Sequence, residues 1–445
     1  MSTLFKIIDG SITAPRGFLA SGVFCDLKRL GTGRGSNRGQ KRDLALILSE
    51  APASVAGMFT TNQVCAAPVR VCRERVRSGR AQAIVVNSGN ANACTGPQGL
   101  RDAYVMADFT ARTLRLPPAL ALVASTGRIG VTLPMANVKR GILAAAAQLG
   151  RSRPCARQMV EAIMTSDTRP KEIAVELELG GRSVRIGGVC KGAGMIQPGM
   201  SATGRRPAAV PGGRPLHATM LCFLTTDAAV SAPLLRHCLA EAVAGSFNRI
   251  TVDGDMSTND TVLALANGRA GNPELGRRSA EVARFQAALS QVCLELAKLI
   301  VRDGEGVSRF VTVRVSGARS FADADAAARA VANSSLVKTS WCGGDPNWGR
   351  IIDALGYSAA RVDERKVDIA YSAPGDRARL YSLRQGRPTK VPFRTLCRAV
   401  SAREFDLHVD LHAGGSSAVI YSCDLTEAYV DFNKGDISDP ASLGG

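Results

Sequence analysis

Histidine is scarce in this 445-residue chain. There are only four, His217, His237, His408 and His412, too few and too scattered for a zinc site of ordinary spacing. The twelve cysteines form no C-x-x-C pair. Cys65 and Cys72 lie nearest each other, and Cys190, Cys222 and Cys293 sit in apolar runs, where a free thiol behaves as a small hydrophobe. No metal and no bound cofactor is expected. No apolar run reaches the length of a membrane span, and the N-terminal MSTLFKIIDGSITAPRGF lacks the apolar core of a secretory signal. These absences predict no membrane partner and a reduced, cytoplasmic setting. Aromatic residues make up only 5% of the chain. The two concentrations of positive charge, KRLGTGRGSNRGQKR (Lys28–Arg42) and the loop carrying Arg205, Arg206 and Arg214, contain none. The net charge of +18 therefore reads as solvated surface loops. A single-strand nucleic-acid platform would need rings on which bases stack. Positive potential could still draw in anionic substrates.

What is present is a large apolar fraction, 45%, punctuated by 45 glycines and 20 prolines, the signature of a mixed α/β protein with many turns. At this length the chain should form more than one domain. Ala83–Asn87 and Met220–Thr226 read as buried strands, and Val311, Val313 and Val315 define another. Ile173, Val175, Leu177 and Leu179 alternate with Ala174, Glu176 and Glu178, the period of a half-buried strand. In Ser279–Ile300 the apolar residues recur every three or four positions, predicting a helix, which Gly304 and Gly306 then break. The division is placed there, with domains at 1–300 and 301–445.

Four segments contain candidate chemistry. In LHATMLCFLTTDA (Leu216–Ala228), Thr219 stands where a Pro/Gly/Arg-rich loop meets a buried strand. One reading is β-branched packing at a strand edge. A second pairs the hydroxyl with His217. The third is self-cleavage between Ala218 and Thr219, which frees an α-amine of pKa roughly 7.7–8.0 to act as base on its own hydroxyl. VASTGRIG (Val123–Gly130) offers the Thr126 hydroxyl and the Gly127 N–H, the composition of an oxyanion hole, or else a simple glycine turn. VCKGAGMIQPGM places Lys191 among glycines, where it could pair with a substrate carboxylate or only decorate a turn. MTSDTRPKE reads as a helix end breaking at Pro170, with Thr165, Ser166 and Thr168 on a polar turn.

Together with ITAPRGFLASGV, GMFTTNQVCAAPV, VVNSGNANACTG, SFNRITVDGDMSTNDT, IVRDGEG, SLVKTSWCGGDPNWGRI and DLTEAYVDFN, these segments resemble the ornithine acetyltransferase family of arginine biosynthesis, in the same order and nearly end to end. The resemblance implies a precursor that cleaves itself between Ala218 and Thr219 into an α chain, 1–218, and a β chain, 219–445. Thr219 then carries an acetyl group from N-acetylornithine to glutamate, with acetyl-CoA as a further co-substrate in some members. It assigns the oxyanion hole to Thr126 and Gly127, and substrate contacts to Thr168, Lys191, Thr219, Glu305, Asn433 and Ser438. Lys191 would suit the α-carboxylate, and Glu305 an amine. The implied fold is an α/β/β/α layered catalytic domain with a smaller C-terminal α/β domain, assembled as a heterotetramer of two α and two β chains.

The chain departs from that pattern at the basic insertion around Gly31–Gln40, at the insertion Ser201–His217 directly before the scissile bond, and at DPASLGG after Ser438. A second Ala-Thr pair, Ala202–Thr203, is rejected as nucleophile because no strand follows it. Two other readings stand beside the acetyltransferase. One is a self-cleaving amidase or aminopeptidase with water as acceptor, and the other an uncleaved, inactive relative that binds an acidic partner through its basic loops.

Overall fold

The computed structural model describes residues 4–28, 41–205, 220–276 and 280–434. The expectations placed on Ala218, Thr219 and Ser438, on most of the first basic loop and on the second loop beyond Arg205 lie outside the described residues.

Two mixed sheets organise the chain, in keeping with the α/β class expected. The first has ten strands: β1 (Lys6–Ile8), β2 (Phe18–Val23), β3 (Leu44–Thr60), β4 (Arg80–Asn90), β5 (Ala121–Arg128), β6 (Lys171–Leu179), β7 (Arg182–Lys191), β8 (Met200–Ser201), β9 (Leu221–Thr226) and β10 (Thr261–Ala266). Its main path runs β1-β6-β7-β9-β10-β3-β4-β5, with β2 and β8 both paired to the long β3. Most neighbours are antiparallel, but β4–β5 and β9–β10 are parallel. Each parallel pair is joined through a helix, Gly96–Thr113 for the first and Ala232–Ala244 for the second, as a parallel crossover requires.

The burial of β9 explains its unbroken apolar run. Leu221 and Phe223 face one core, with Leu263 and Leu265 of β10 and the helices Ala67–Arg75, Met135–Ala147 and Arg153–Ile163. Cys222 and Leu224 face a second core, with Val262 and Ala264 and the helices Ala232–Ala244 and Ala280–Arg302. Side chains alternate along a strand, so a strand covered on both faces is apolar at successive positions, and the two buried threonines that end β9 donate to the Ile12 and Arg185 carbonyls at 2.6 and 2.7 Å. The thiols follow the same rule. All twelve cysteines are free, and burial pushes the Cys293 thiol up to about 12, which suppresses its reactivity.

In β6 the expected alternation holds for buried Val175, Leu177 and Leu179 and for the outward Glu176 and Glu178, but Ala174 is buried and Ile173 only partly so. The cause is β1, which pairs Ile8 with Ala174 and brings Gly10 so close that a Cβ there would touch the Ala174 methyl. The helix expected to end at Pro170 stops at Ile163, because the Asp167 carboxylate captures the Thr165 N–H at 3.0 Å and turns residues 164–170 into a loop.

The second sheet comprises β11 (Phe310–Ala318), β12 (Asp368–Ser372), β13 (Leu380–Arg384), β14 (Arg387–Pro388), β15 (Glu404–Asp410) and β16 (Ser416–Cys423), in the order β14-β13-β12-β15-β11-β16. Its core centres on Trp341, Tyr371 and Phe405, which meet edge to face. A bridge between Ile250 and Tyr421 joins it to the first half. The helix Glu427–Asn433 returns to the turn after Arg302. There the Thr426 hydroxyl donates to the Gly306 carbonyl at 2.6 Å, and a Cβ on Gly306, φ +68°, would collide with the Tyr429 backbone.

Because β9 has no solvent face, Phe223→Ala should cost about 3–5 kcal/mol of stability, read by equilibrium denaturation. A loss below about 1 kcal/mol would contradict this placement.

Candidate active site

Five strand ends converge on one buried polar centre. β7 finishes at Lys191, which pairs with Leu221 at the start of β9. β10 begins beside it, with Thr261 opposite Leu221. β5 brings Thr126 and Gly127, just before its end at Arg128, alongside the Ser88–Asn90 end of β4.

Gly127 has a φ of +129°, and a Cβ there would collide with the backbone of Gly89 and Asn90, so only glycine fits. Behind this turn lies a buried amide network. Asn259 donates to the Ala91 carbonyl at 2.7 Å and the Ser125 carbonyl at 2.8 Å. Ser125 donates to Asn87 at 2.6 Å, and Asn87 to the Asn90 carbonyl at 2.8 Å. The Thr126 backbone is thereby held from both sides.

Lys191 is buried, and its Nζ donates to the Thr126 hydroxyl oxygen over a long 3.4 Å. An ammonium only donates. Thr126 is therefore the acceptor in this bond, which leaves its own O–H to donate. Burial lowers the pKa of Lys191. Asp167, Glu305 and Asp260 pull it back up, and Lys171 pushes it further down.

Asp167, Lys171 and Asp303 form a buried ion triad. Lys171 Nζ donates to Asp167 at 2.6 Å and also to Asp303. Burial pushes the Asp167 carboxyl up, but the Lys171 and Lys191 ammonium groups and the Gly192 N–H overcome it and hold the carboxyl well below its ordinary range. Burial likewise disfavours the Lys171 ammonium, yet the two carboxylates raise its pKa. Asp303 also receives the Thr168 N–H at 3.2 Å and the Thr168 hydroxyl, so exposed Thr168 is fixed at the rim.

Glu305 accepts from Asn433 Nδ2 at 3.0 Å. Its backbone N–H is bound to the Ala193 carbonyl at 2.9 Å, and a Cβ on Gly194 would collide with its carboxylate. Burial raises its pKa, against the Ser166 and Asn433 hydrogen bonds. The glycine turn itself is held by Asp253, whose carboxylate takes the N–H groups of Met195 at 2.6 Å and Ile196 at 2.8 Å.

Of the residues singled out in the sequence, Thr126, Gly127, Lys191, Thr168, Glu305 and Asn433 thus fall in two linked groups. Thr126, Gly127 and Lys191 line the strand ends. Glu305 and Asn433 meet beside the glycine turn, and Thr168 is tied to Asp303, two residues before Glu305. Thr203 sits in the turn after β8, where its Oγ1 accepts the Arg205 N–H at 3.3 Å.

Sequence reasoning passed over Asp167, Asn259 and Asp260. Asp260 is fully buried. Its Oδ1 takes the Met220 N–H at 2.6 Å, while its Oδ2 has no hydrogen-bond partner among the described residues. Burial pushes this carboxyl far up. The only available signal was a carboxylate beside a strand start in STNDT, which spacing alone does not distinguish from a turn. Among the described residues no group of three His, Cys, Asp or Glu could hold a metal ion, and no helix is long and apolar enough to cross a membrane.

Fold and centre together define a mixed α/β protein with a buried, charged polar site built where strand ends meet. Residues 29–435 match the model of the ArgJ family. The chain belongs to the ArgJ family. It is 49% identical over 424 residues to the arginine biosynthesis bifunctional protein ArgJ of Symbiobacterium thermophilum, covering 95% of this chain and 98% of that one. It is 44% identical over 428 residues to the protein of the same name from Geobacter sulfurreducens, covering 94% and 98%. The crystal structure of the arginine biosynthesis bifunctional protein argJ from Bacillus halodurans is 39% identical, covers 44% of this chain and 98% of its own, and superposes with a TM-score of 0.41.

Asn259→Ala would strand two buried carbonyls beneath the Thr126–Gly127 turn. It should destabilise the protein by about 2–3 kcal/mol in a denaturant titration, and a neutral result would mean the amide network does not hold the turn.

Proposed function

We propose that the chain transfers the acetyl group of N2-acetylornithine to glutamate through an acetyl-enzyme on Thr219, after cleaving its own Ala218–Thr219 bond. The observation that carries the reading is the Lys191–Thr126 hydrogen bond beside Gly127. It leaves the Thr126 O–H to donate elsewhere, next to a glycine turn no other residue can adopt. Family membership and the relatives' names in arginine biosynthesis support it further.

In this reading the freed Thr219 α-amine takes the proton from Oγ, which attacks the acetyl carbonyl of N-acetylornithine. The oxyanion is met by the Thr126 hydroxyl and the Gly127 N–H. The amide C–N bond then breaks, and the departing nitrogen receives the proton held by the Thr219 amine. The amine of glutamate attacks the acetyl ester in turn, forming N-acetylglutamate and restoring the threonine hydroxyl. Lys191 pairs with the α-carboxylate that both substrates carry. Glu305, steadied by Asn433, faces the ornithine side-chain amine, with Thr168 at the rim and Ser438 as a further contact. Acetyl-CoA is a second acetyl donor in this reading. No bound cofactor enters the scheme. The mature assembly is a cytoplasmic heterotetramer of two α and two β chains.

Denaturing mass spectrometry of the purified protein should give two chains that meet at Ala218 and Thr219, and Thr219→Ala should give one. A wild-type chain that stays whole on long incubation would refute the scheme. Thr126→Val should lower kcat by about 10²–10³-fold, and an unchanged kcat would remove Thr126 from the oxyanion hole.

A further inference from the structure

The carboxylate at the middle of the ion triad also touches the segment that carries Lys191. Asp167 and Lys171 side chains are both 0% exposed. Asp167 Oδ1 accepts from Lys171 Nζ at 2.6 Å and from the Gly192 N–H at 2.8 Å, while Oδ2 accepts the Thr165 N–H at 3.0 Å. One side chain therefore stitches the 164–170 loop to the backbone next to Lys191. Asp303 shares Lys171, but its other contacts go to Thr168 and, at 3.6 Å, to Arg169.

We propose that Asp167 is the positioning residue for Lys191: it fixes the backbone beside that lysine and supplies the countercharge that keeps its ammonium ready for a substrate carboxylate. The inference rests on Lys191 as the carboxylate contact. Without a countercharge, a buried lysine sheds its proton and loses the charge that binds an anion. The charged and titratable groups facing Lys191 are Asp167, Lys171, Glu305 and Asp260, with Lys28 a further like charge. Asp167 and Lys171 act on Lys191 with opposite signs, although each is the other's ion-pair partner.

That opposition separates positioning from simple structural support. Asp167→Asn keeps an oxygen for the Gly192 N–H but removes the attraction. Lys191 then deprotonates at lower pH, and the alkaline limb of kcat/KM for N-acetylornithine should move down by about one pH unit. Lys171→Met removes the nearby like charge and should move the same limb up. The Thr219 amine works deprotonated, so it governs the acidic limb and does not enter the comparison. Structural support alone predicts that breaking the pair from either side moves the limb equally or not at all, and that result overturns the proposal.

Lys191→Met, measured alongside, should raise KM for both substrates. If it leaves both unchanged, the underlying role of Lys191 fails and the proposal with it. If KM rises but the two limbs do not separate, only the role of Asp167 fails. Thermal melting of the mature enzyme confirms folding, and if one variant does not fold, the direction of the other still decides.

Discussion

A lysine whose ammonium is out of reach of water must have its countercharges built around it, and this protein buries Lys171 and Lys191 a few residues from one another's loops. An isolated ammonium in such surroundings is unaffordable by tens of kcal/mol in the idealised case, so it either pairs or neutralises. Asp167 and Asp303 meet that demand for Lys171 directly. For Lys191 the field of Asp167 offsets part of the burial, which still lowers its pKa. The consequence is architectural. The loop after the helix Arg153–Ile163, the glycine turn after β7 and the end of the helix Ala280–Arg302 can adopt few arrangements that satisfy these charges together. Buried ion pairs contribute little net stability, and here their effect is to fix geometry.

The doubly buried β9 completes that geometry. Met220, immediately before it, is held at both backbone groups: its N–H by Asp260 and its carbonyl by the Thr261 N–H at 3.2 Å. Glu305 is fixed in a comparable manner, since Gly194 leaves no side chain in its path and the helix Glu427–Asn433 brings Asn433 to it.

Much of this was legible in the sequence because it depends on local pattern. The uninterrupted apolar run of β9 and the three-and-four spacing of Ser279–Ile300 declare a two-faced strand and a long helix by themselves. Gly127, Lys191, Glu305 and Asn433 stood out through the motifs that resemble the acetyltransferase family. What stayed hidden depends on partners distant in the chain. Asp167 lies between Ser166 and Thr168, and nothing in MTSDTRPKE shows that its carboxylate reaches Gly192. Ala174 reads as an outward position until β1 covers it. The end of the helix at Ile163 was missed for a related reason, since Asp167 captures the Thr165 N–H before Pro170 is reached. Buried polar residues are chosen by what they satisfy, and that cannot be read from periodicity.

The central claim is that Thr219 carries the acetyl group between substrates. It is tested most directly by mixing the mature enzyme with N-acetylornithine in the absence of glutamate, quenching in acid and measuring the mass of the peptide that begins at residue 219. The account predicts one acetyl group on that peptide, a burst of ornithine equal to the enzyme present, and loss of the label when glutamate is added. An unmodified peptide, with ornithine released only when glutamate is also bound, would mean direct transfer between substrates and would contradict it.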